Sequence, residues 1–146
     1  MPKRYGQRCP VAKSLEFLGE RWTLLVVRDL IGGPRRFQDL QASLHGIAPN
    51  VLSERLKVLE EHGVVTRQFY SEHPPRAEYA LTPRGRELGV VVGALALWGS
   101  KHLHPDTALV HDDCDAALQL GYYCPKCDKR VRGRSVHLRH TETPVG

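Results

Sequence analysis

Four side chains near the end of the chain have the types and the spacing of a metal site. His111 and Cys114 are separated by two residues, and after nine intervening residues Cys124 and Cys127 repeat that separation. Paired nitrogen and sulfur ligands at this spacing suit tetrahedral Zn²⁺. The pattern therefore predicts a structural zinc ion held by all four side chains. A catalytic zinc is not expected, because four protein ligands leave no open coordination position.

Three other interpretations of this tail stay open. The Cys-Pro-Lys-Cys pair could be a redox pair, although thioredoxin-type motifs require a βαβ setting that the sequence lacks. The tail, residues 104–146, could also be disordered. Zinc is favoured because so small a segment cannot bury enough apolar area to fold alone. The fourth ligand, if it is not His111, could be His137, His140 or Cys9.

Cys9 is the one cysteine outside the tail, and it directly precedes Pro10, which suits the first turn of a helix. Arg4 and Arg8 nearby, together with a helix N-terminus, would favour the reactive thiolate. The alternative is a cysteine that only packs, as buried thiols often do. Cys9 is therefore a candidate reactive thiol.

A helix predicted between Pro49 and Gly63 carries polar side chains that could read DNA. Leu52, Leu56 and Leu59 fall within one narrow arc of this helix, so we expect them to face the core. The opposite side of the helix is polar. Short polar or basic side chains at the start of a helix in the major groove reach base edges, so this helix is the candidate reader.

Each polar side chain of the reading helix suits a different contact. Asn50 could bond adenine, and Glu54 could accept a hydrogen bond from a cytosine amine. Arg55 and Lys57 could bind guanine or phosphate. Alternatively, Arg55 pairs with a nearby acid and Lys57 is only a solvated charge. The predicted DNA-contacting residues, on this helix and beside it, are Arg35, Arg36, Asn50, Ser53, Glu54, Arg55, Lys57, His73 and Arg76.

Hydrophobic periodicity predicts the elements that position these side chains. A first helix begins at Pro10, and a second, apolar nearly all round, runs from Glu20 to Ile31. A third begins near Phe37 and ends at Gly46, before the reading helix. These helices place the reading helix second in a helix-turn-helix.

A hairpin and a long helix complete the predicted domain. Alternating runs at 64–70 and 76–81 bracket a proline-bearing tip and predict a two-stranded wing. A helix follows from Pro83 to about His102, with an excess of apolar residues that favours packing against a second copy. The fold class is thus mainly α (α+β): a winged helix-turn-helix with a long C-terminal helix in residues 1–103, and a zinc-ribbon-like tail in residues 104–146.

Seven short motifs occur in order between residues 9 and 85. They are Cys9-Pro-Val11, Leu18-Gly-Glu-Arg-Trp22, the run from Leu24 to Leu30, Arg36-Phe-Gln-Asp-Leu40, Val51-Leu-Ser-Glu-Arg-Leu56, Leu59-Glu-Glu-His-Gly63 and Tyr79-Ala-Leu-Thr-Pro83-Arg-Gly85. Together they resemble the HxlR-type transcriptional regulators, bacterial winged helix proteins related to the MarR group. The resemblance covers about residues 9–103. It implies a homodimer joined through terminal helices on a pseudo-palindromic operator, and a redox or electrophile sensor at Cys9.

Composition sets the remaining limits. Residues 1–103 hold 15 Lys and Arg against 10 Asp and Glu, whereas residues 104–146 are neutral, so the net charge of +5 lies with the helix-turn-helix. This agrees with phosphate binding but decides little alone. No apolar run approaches the roughly 18 residues that span a membrane, and no signal peptide is evident, so a cytoplasmic protein is expected.

These features together favour a sequence-specific DNA-binding transcriptional regulator. We expect a homodimer on double-stranded DNA, and favour a repressor that occupies a promoter and excludes polymerase. The alternative is a thiol- or metal-responsive sensor, in which Cys9 or the Cys/His tail switches DNA binding in response to an unknown effector. No enzyme is expected, because the sequence lacks paired carboxylates, a nucleophile–base motif and a phosphate-cradling glycine loop.

Overall fold

The computed structural model describes residues 4–73 and 75–141, and its first sheet is the wing of a winged helix-turn-helix. Strands β1 (Arg35–Arg36), β3 (Pro75–Leu81) and β2 (Val65–Glu72) pair antiparallel in that order. The helices α3 (Phe37–Ser43) and α4 (Pro49–Glu61) precede the β2–β3 hairpin. The predicted fold class is confirmed. The elements are α1 Pro10–Leu18, α2 Thr23–Ile31, β1 Arg35–Arg36, α3 Phe37–Ser43, α4 Pro49–Glu61, β2 Val65–Glu72, β3 Pro75–Leu81, α5 Pro83–Arg86, α6 Gly89–His102, β4 Tyr122–Cys124 and β5 Lys129–Val131.

The chain divides into two compact units, and the division falls between Leu95 and Ala96, inside α6. The sequence instead suggests a boundary at His104, where the helical periodicity stops. The first unit contains the hydrophobic core, to which α2, α3, α4 and the sheet contribute. Within the described residues, no helix is long and apolar enough to cross a membrane.

The core fixes the orientation of the reading helix α4. Leu52, Leu56 and Leu59 are at most 1% exposed, as the periodicity predicts. They pack in one cluster with Val26 and Leu30 of α2, among others. Because all three leucines lie on one side of α4, its opposite side is held toward solvent.

The second helix begins later than the sequence predicts. Trp22 has a φ of 79°, which is left-handed and incompatible with a right-handed helix, so α2 begins at Thr23 rather than at Glu20. The half-buried indole packs against the core, and the guanidinium of Arg21 lies 5.2 Å from its ring centroid. Tertiary packing of Trp22 therefore overrides the local helical pattern at this position.

The predicted helix from Pro83 to His102 is also wrong in one respect, because it is two helices. Helix α5 ends at Arg86, and Glu87 and Leu88 form a turn before α6. Gly85 presses against the sheet so closely that a Cβ atom there would lie 2.1 Å from the carbonyl oxygen of Val64. The hydroxyl of Thr82 accepts a hydrogen bond from the Gly85 N–H, which caps α5 in this position.

The second unit contains a small hairpin and almost no interior. Strands β4 and β5 pair antiparallel, and Val110 forms an isolated bridge with Ala117. No residue from 104 to 141 is buried, and the exposed side chains include several large apolar ones: Leu118, Leu120, Tyr122, Tyr123, Val136 and Leu138. Hydrophobic burial alone therefore gives this segment little stability.

Candidate nucleic-acid interface and metal-ligand pairs

The solvent-facing side of α4 carries four of the nine predicted DNA-contacting residues. Asn50, Ser53, Glu54 and Lys57 are all exposed. Helix α4 begins with Pro49 at its first turn, and the carbonyl of Ala48 accepts the N–H of Leu52 at 3.0 Å. Asn50, Ser53 and Glu54 thus project from the N-terminal half of a helix whose other side is anchored in the core, and Lys57 follows about one turn later.

Arg55 differs from its neighbours on α4, because its guanidinium is engaged within the protein. Its Nε donates a 2.8 Å hydrogen bond to the backbone carbonyl of Arg21, and its Nη2 lies 3.8 Å from a carboxylate oxygen of Glu20. The side chain is only 19% exposed. This geometry agrees with the alternative interpretation of Arg55, in which it pairs with a nearby acid.

The wing and the start of α3 form a basic cleft of about 390 Å³. The guanidinium of Arg36 lies 4.8 Å from the ring centroid of Tyr70, a cation–π contact that orients both side chains. Arg76, from β3, lines the same cleft and is exposed. Two of the predicted arginines, from separate elements, are therefore brought together.

Tyr70 and Gln38 also line this cleft, and no sequence pattern singles them out. The pairing of β2 with β3 is irregular between Phe69 and Ser71, so Tyr70 stands at a β-bulge, which commonly redirects a side chain. A β-bulge cannot be recognised from the alternation of side chains along a strand in the sequence. The cleft was thus missed because it depends on strand register.

Two further predicted DNA-contacting residues, Arg35 and His73, belong to the elements beside this cleft. The Nε of Arg35 donates a 3.1 Å hydrogen bond to the carbonyl of Asp29, which holds its side chain against the end of α2. The backbone N–H of Arg36 donates to a carboxylate oxygen of Asp39 at 3.3 Å, which fixes the start of α3. His73, at the tip of the hairpin, is exposed.

Cys9 is a free, half-buried thiol immediately before α1. Its backbone carbonyl accepts the N–H of Lys13 at 2.9 Å, so Cys9 is continuous with the helix. Two turns later, the ring of Phe17 stacks on His62 with centroids 4.0 Å apart and an interplanar angle of 6°. His62 is the C-cap of α4, so α1 contacts the end of the reading helix.

The first pair of predicted metal ligands is brought together in a turn. Nδ1 of His111 lies 3.4 Å from Sγ of Cys114, and Nε2 of the same ring lies 3.7 Å from a carboxylate oxygen of Asp113. The backbone N–H of Asp115 donates to the carbonyl of His111 at 2.8 Å and closes the turn. One ring nitrogen therefore faces sulfur and the other faces a carboxylate.

The second pair occupies the turn between β4 and β5. The backbone N–H of Cys127, its thiol and the backbone N–H of Lys126 all form hydrogen bonds to the sulfur of Cys124, and they hold the pKa of that thiol below its usual range, with burial opposing them. A sulfur that accepts several N–H bonds is one that is stabilised as thiolate, the form that binds metal. The hydroxyl of Tyr123 donates to Asp128, and this hydrogen bond raises the pKa of Tyr123.

The four predicted ligands form two pairs rather than one assembled group. Within residues 4–73 and 75–141, no three His, Cys, Asp or Glu side chains are gathered closely enough to hold a metal ion. All four cysteines are free thiols. The zinc ion therefore stays a prediction, and it rests on the ligand types and their spacing within each pair.

A helix-turn-helix whose second helix has one side buried in the core and the other exposed, followed by a two-stranded wing, is the arrangement of winged helix-turn-helix transcriptional regulators. The sequence profile of the HxlR-like helix-turn-helix family matches residues 17–107, and the chain belongs to this family. The chain is 38% identical over 130 residues to Rv3095, an uncharacterised HTH-type transcriptional regulator of Mycobacterium tuberculosis, covering 86% of this chain and 82% of that protein.

The solved structures that are similar to this one include those of PA1607 and the redox regulator HypR. PA1607, a candidate transcription factor, has a TM-score of 0.79 and 32% identity over 93% of this chain and 97% of its own. The oxidised form of the redox regulator HypR has a TM-score of 0.61 and 33% identity, over 64% of this chain and 97% of its own. The likeness to PA1607 extends over most of this chain, whereas that to HypR covers about two thirds of it.

Proposed function

We propose that the protein is a homodimeric repressor that binds a pseudo-palindromic operator, with one α4 in the major groove of each half-site. The observation that carries this proposal is the exposure of Asn50, Ser53, Glu54 and Lys57 on a helix whose leucines are buried. Polar side chains on the outer side of a second helix-turn-helix helix are placed for base edges. Repression follows if the occupied operator overlaps a promoter.

The basic cleft supports phosphate contacts beside the groove. Arg36 and Arg76 line it, and the stacking of Arg36 on Tyr70 leaves its guanidinium edge able to donate hydrogen bonds to a phosphate oxygen. His73, at the hairpin tip, would follow the backbone or the minor groove. Arg35 and Arg55 have internal partners, and we assign them chiefly to positioning α2, α3 and α4.

The apolar side of α6 supports the dimer. No residue of this 14-residue helix is buried in the single chain. Val91, Leu95 and Trp98 recur at i, i+4 and i+7, and they are 42%, 53% and 58% exposed. Val92, on another side, packs on the core. A stripe this apolar and this exposed fits a second copy of the chain, in a two-fold arrangement that matches a pseudo-palindrome.

The test is selection of bound sequences from random double-stranded DNA, with sedimentation measurements on the free and bound protein. We expect two inverted half-sites separated by about one helical turn, roughly 10 base pairs, and one dimer per site. A selected site placed over a promoter should reduce transcription in a purified system. A single half-site bound by a monomer would contradict the dimer, and unchanged transcription would contradict repression.

A second candidate function is a thiol switch at Cys9. The free, half-buried thiol directly precedes α1, and α1 contacts the end of α4 through the Phe17–His62 stack. The similar protein HypR is a redox regulator by its own description. In this proposal hydrogen peroxide transfers one oxygen atom to the Cys9 thiol, giving sulfenic acid and water. Movement of α1 would then alter the orientation of α4.

This second function is tested by titrating operator binding against hydrogen peroxide. Peroxide should weaken binding by the unaltered protein and leave Cys9→Ser unaffected, with mass spectrometry reporting one added oxygen at Cys9. The matched control is Cys114→Ser, which retains Cys9. If the control loses the peroxide response and Cys9→Ser keeps it, the switch lies in the tail.

A further inference from the structure

We propose that residues 109–131 form two half-sites that close on one Zn²⁺ ion, with His111 and Cys114 from the first half-site and Cys124 and Cys127 from the second. The donor set is one imidazole and three thiols, a combination found in structural zinc sites. This metal would be independent of the DNA-reading surface, and its role would be to hold the tail together.

The two half-sites have matching backbone geometry. In each, two ligands are separated by two residues in a turn, and the residue after the second ligand is an aspartate in the left-handed region: Asp115 with φ 56° and Asp128 with φ 50°. Among the described residues, Trp22 is the one other non-glycine residue with a positive φ. Because two separate turns share this uncommon conformation at the same position, we infer that both turns present their pair of ligands in the same way.

Hydrogen bonding prepares both half-sites for a metal. In the second half-site, the hydrogen-bonded pairing of Cys124 with Lys129 across β4 and β5 closes the turn that contains Cys127. In the first half-site, Nδ1 of His111 faces Sγ of Cys114 at 3.4 Å, and Nε2 faces Asp113 at 3.7 Å. A carboxylate beside the far nitrogen is the usual partner of a zinc-bound histidine, because it fixes the tautomer that leaves the other nitrogen to bind metal.

The lack of a core gives the reason for a metal. No residue from 104 to 141 is buried, and the regular elements there are the β4–β5 hairpin, a shorter hairpin closed by the single bridge between Val110 and Ala117, and a 3-10 helix at Gly133–Ser135. A two-stranded hairpin is marginally stable alone, and small metal-binding modules derive their folding free energy from the metal. The four donors stand as two pairs, and one ion bound to both pairs would join the two hairpins.

The first experiment measures metal on the full chain. Elemental analysis of protein purified without a metal-affinity tag should find about one zinc per chain. Replacement by Co²⁺ should give the absorption of a tetrahedral ion with sulfur-to-metal charge transfer. Cys114→Ser, Cys124→Ser and Cys127→Ser should each lose most of the bound metal, whereas the control Cys9→Ser should retain it. Absence of zinc, together with no cobalt spectrum, would overturn the proposal.

The fourth ligand is tested by His111→Asn against His137→Asn and His140→Asn. We expect the first alone to change the cobalt spectrum, and a change produced by either control instead would overturn the assignment of His111. Hydrogen exchange separates this site from general unfolding. Chelation should accelerate exchange in residues 109–131 and leave residues 10–81 protected, and equal acceleration in both regions would contradict a local structural metal.

Discussion

The Nε of Arg55 donates a 2.8 Å hydrogen bond to the backbone carbonyl of Arg21, and this contact joins the reading helix α4 to the turn before α2. The same turn contains Trp22, whose left-handed backbone sets where α2 begins. An arginine on the flank of a recognition helix would ordinarily be assigned to DNA. Here its geometry supports a positioning role, so the loss of its side chain should lower the stability of the protein rather than change its preference for particular base pairs.

Arg55→Ala should therefore reduce stability. A hydrogen bond from a charged group to a carbonyl, at a side chain that is 19% exposed, contributes about 1 kcal/mol to the free energy of unfolding. Urea denaturation measures the change. Lys57→Ala is the matched control, because Lys57 is exposed on the same helix, and we expect its stability to change by less than about 0.5 kcal/mol. An Arg55→Ala protein of unchanged stability that loses preference at one base pair would show that Arg55 reads DNA.

Asn50→Ala should relax specificity at one base position. Asn50 is exposed in the first turn of α4, where a bidentate contact to adenine would contribute about 1–3 kcal/mol of discrimination. The measurement is binding to a set of operators with single substitutions at each position. We expect discrimination to fall at one symmetric pair of positions and to persist at the others. Equal weakening on every operator would mean that Asn50 only positions the helix.

Arg76→Ala should weaken binding to all DNA sequences and flatten its dependence on salt. Arg76 lines the basic cleft with Arg36, so its removal should cost about one phosphate contact and reduce the slope of log affinity against log salt by roughly one. Arg28→Ala is the control, because Arg28 forms an ion pair with Asp29 at 2.9 Å on α2. If the salt slope is the same in Arg76→Ala as in the control, the wing does not contact phosphate.

The sequence predicted the parts of this molecule that follow from repeated local patterns. The buried side of α4 could be predicted because Leu52, Leu56 and Leu59 recur at helical spacing. The hairpin could be predicted because the side chains in its two runs alternate with a period of two. Trp22 could not be placed in the same way, because its backbone conformation is imposed by packing.

The contact partners of the arginines could not be predicted from the sequence, for a different reason. The contact of Arg36 with Tyr70 depends on a bulge in β2, and the contact of Arg55 with Arg21 joins residues 34 positions apart. Composition identifies such side chains as candidates for DNA binding. Only tertiary structure separates an arginine that lines a cleft from one that is held by a carbonyl.

Leu95→Lys should dissociate the dimer without unfolding the chain. Leu95 is 53% exposed in the single chain, so a charge there costs little within the monomer but would be buried unpaired between two copies of α6. Sedimentation should show a monomer, and operator affinity should fall because each half-site then binds alone. Glu87→Lys, at an exposed position in the turn before α6, is the control and should remain dimeric. A dimeric Leu95→Lys protein would place the interface elsewhere.

Gly85→Ala should destabilise the domain through the junction of α5 with the sheet. The added Cβ would lie 2.1 Å from the carbonyl oxygen of Val64, and both are backbone-fixed, so α5 must move. Overpacking of this kind costs about 1–3 kcal/mol, and thermal or urea unfolding measures it. Gly89→Ala is the matched control: it begins α6 on a different side from Val91, Leu95 and Trp98, and no atom outside its own helix and chain neighbours lies within 4 Å of the new Cβ, so a small gain in stability is expected. If Gly85→Ala were as stable as that control, the close approach of α5 to Val64 would not constrain the fold.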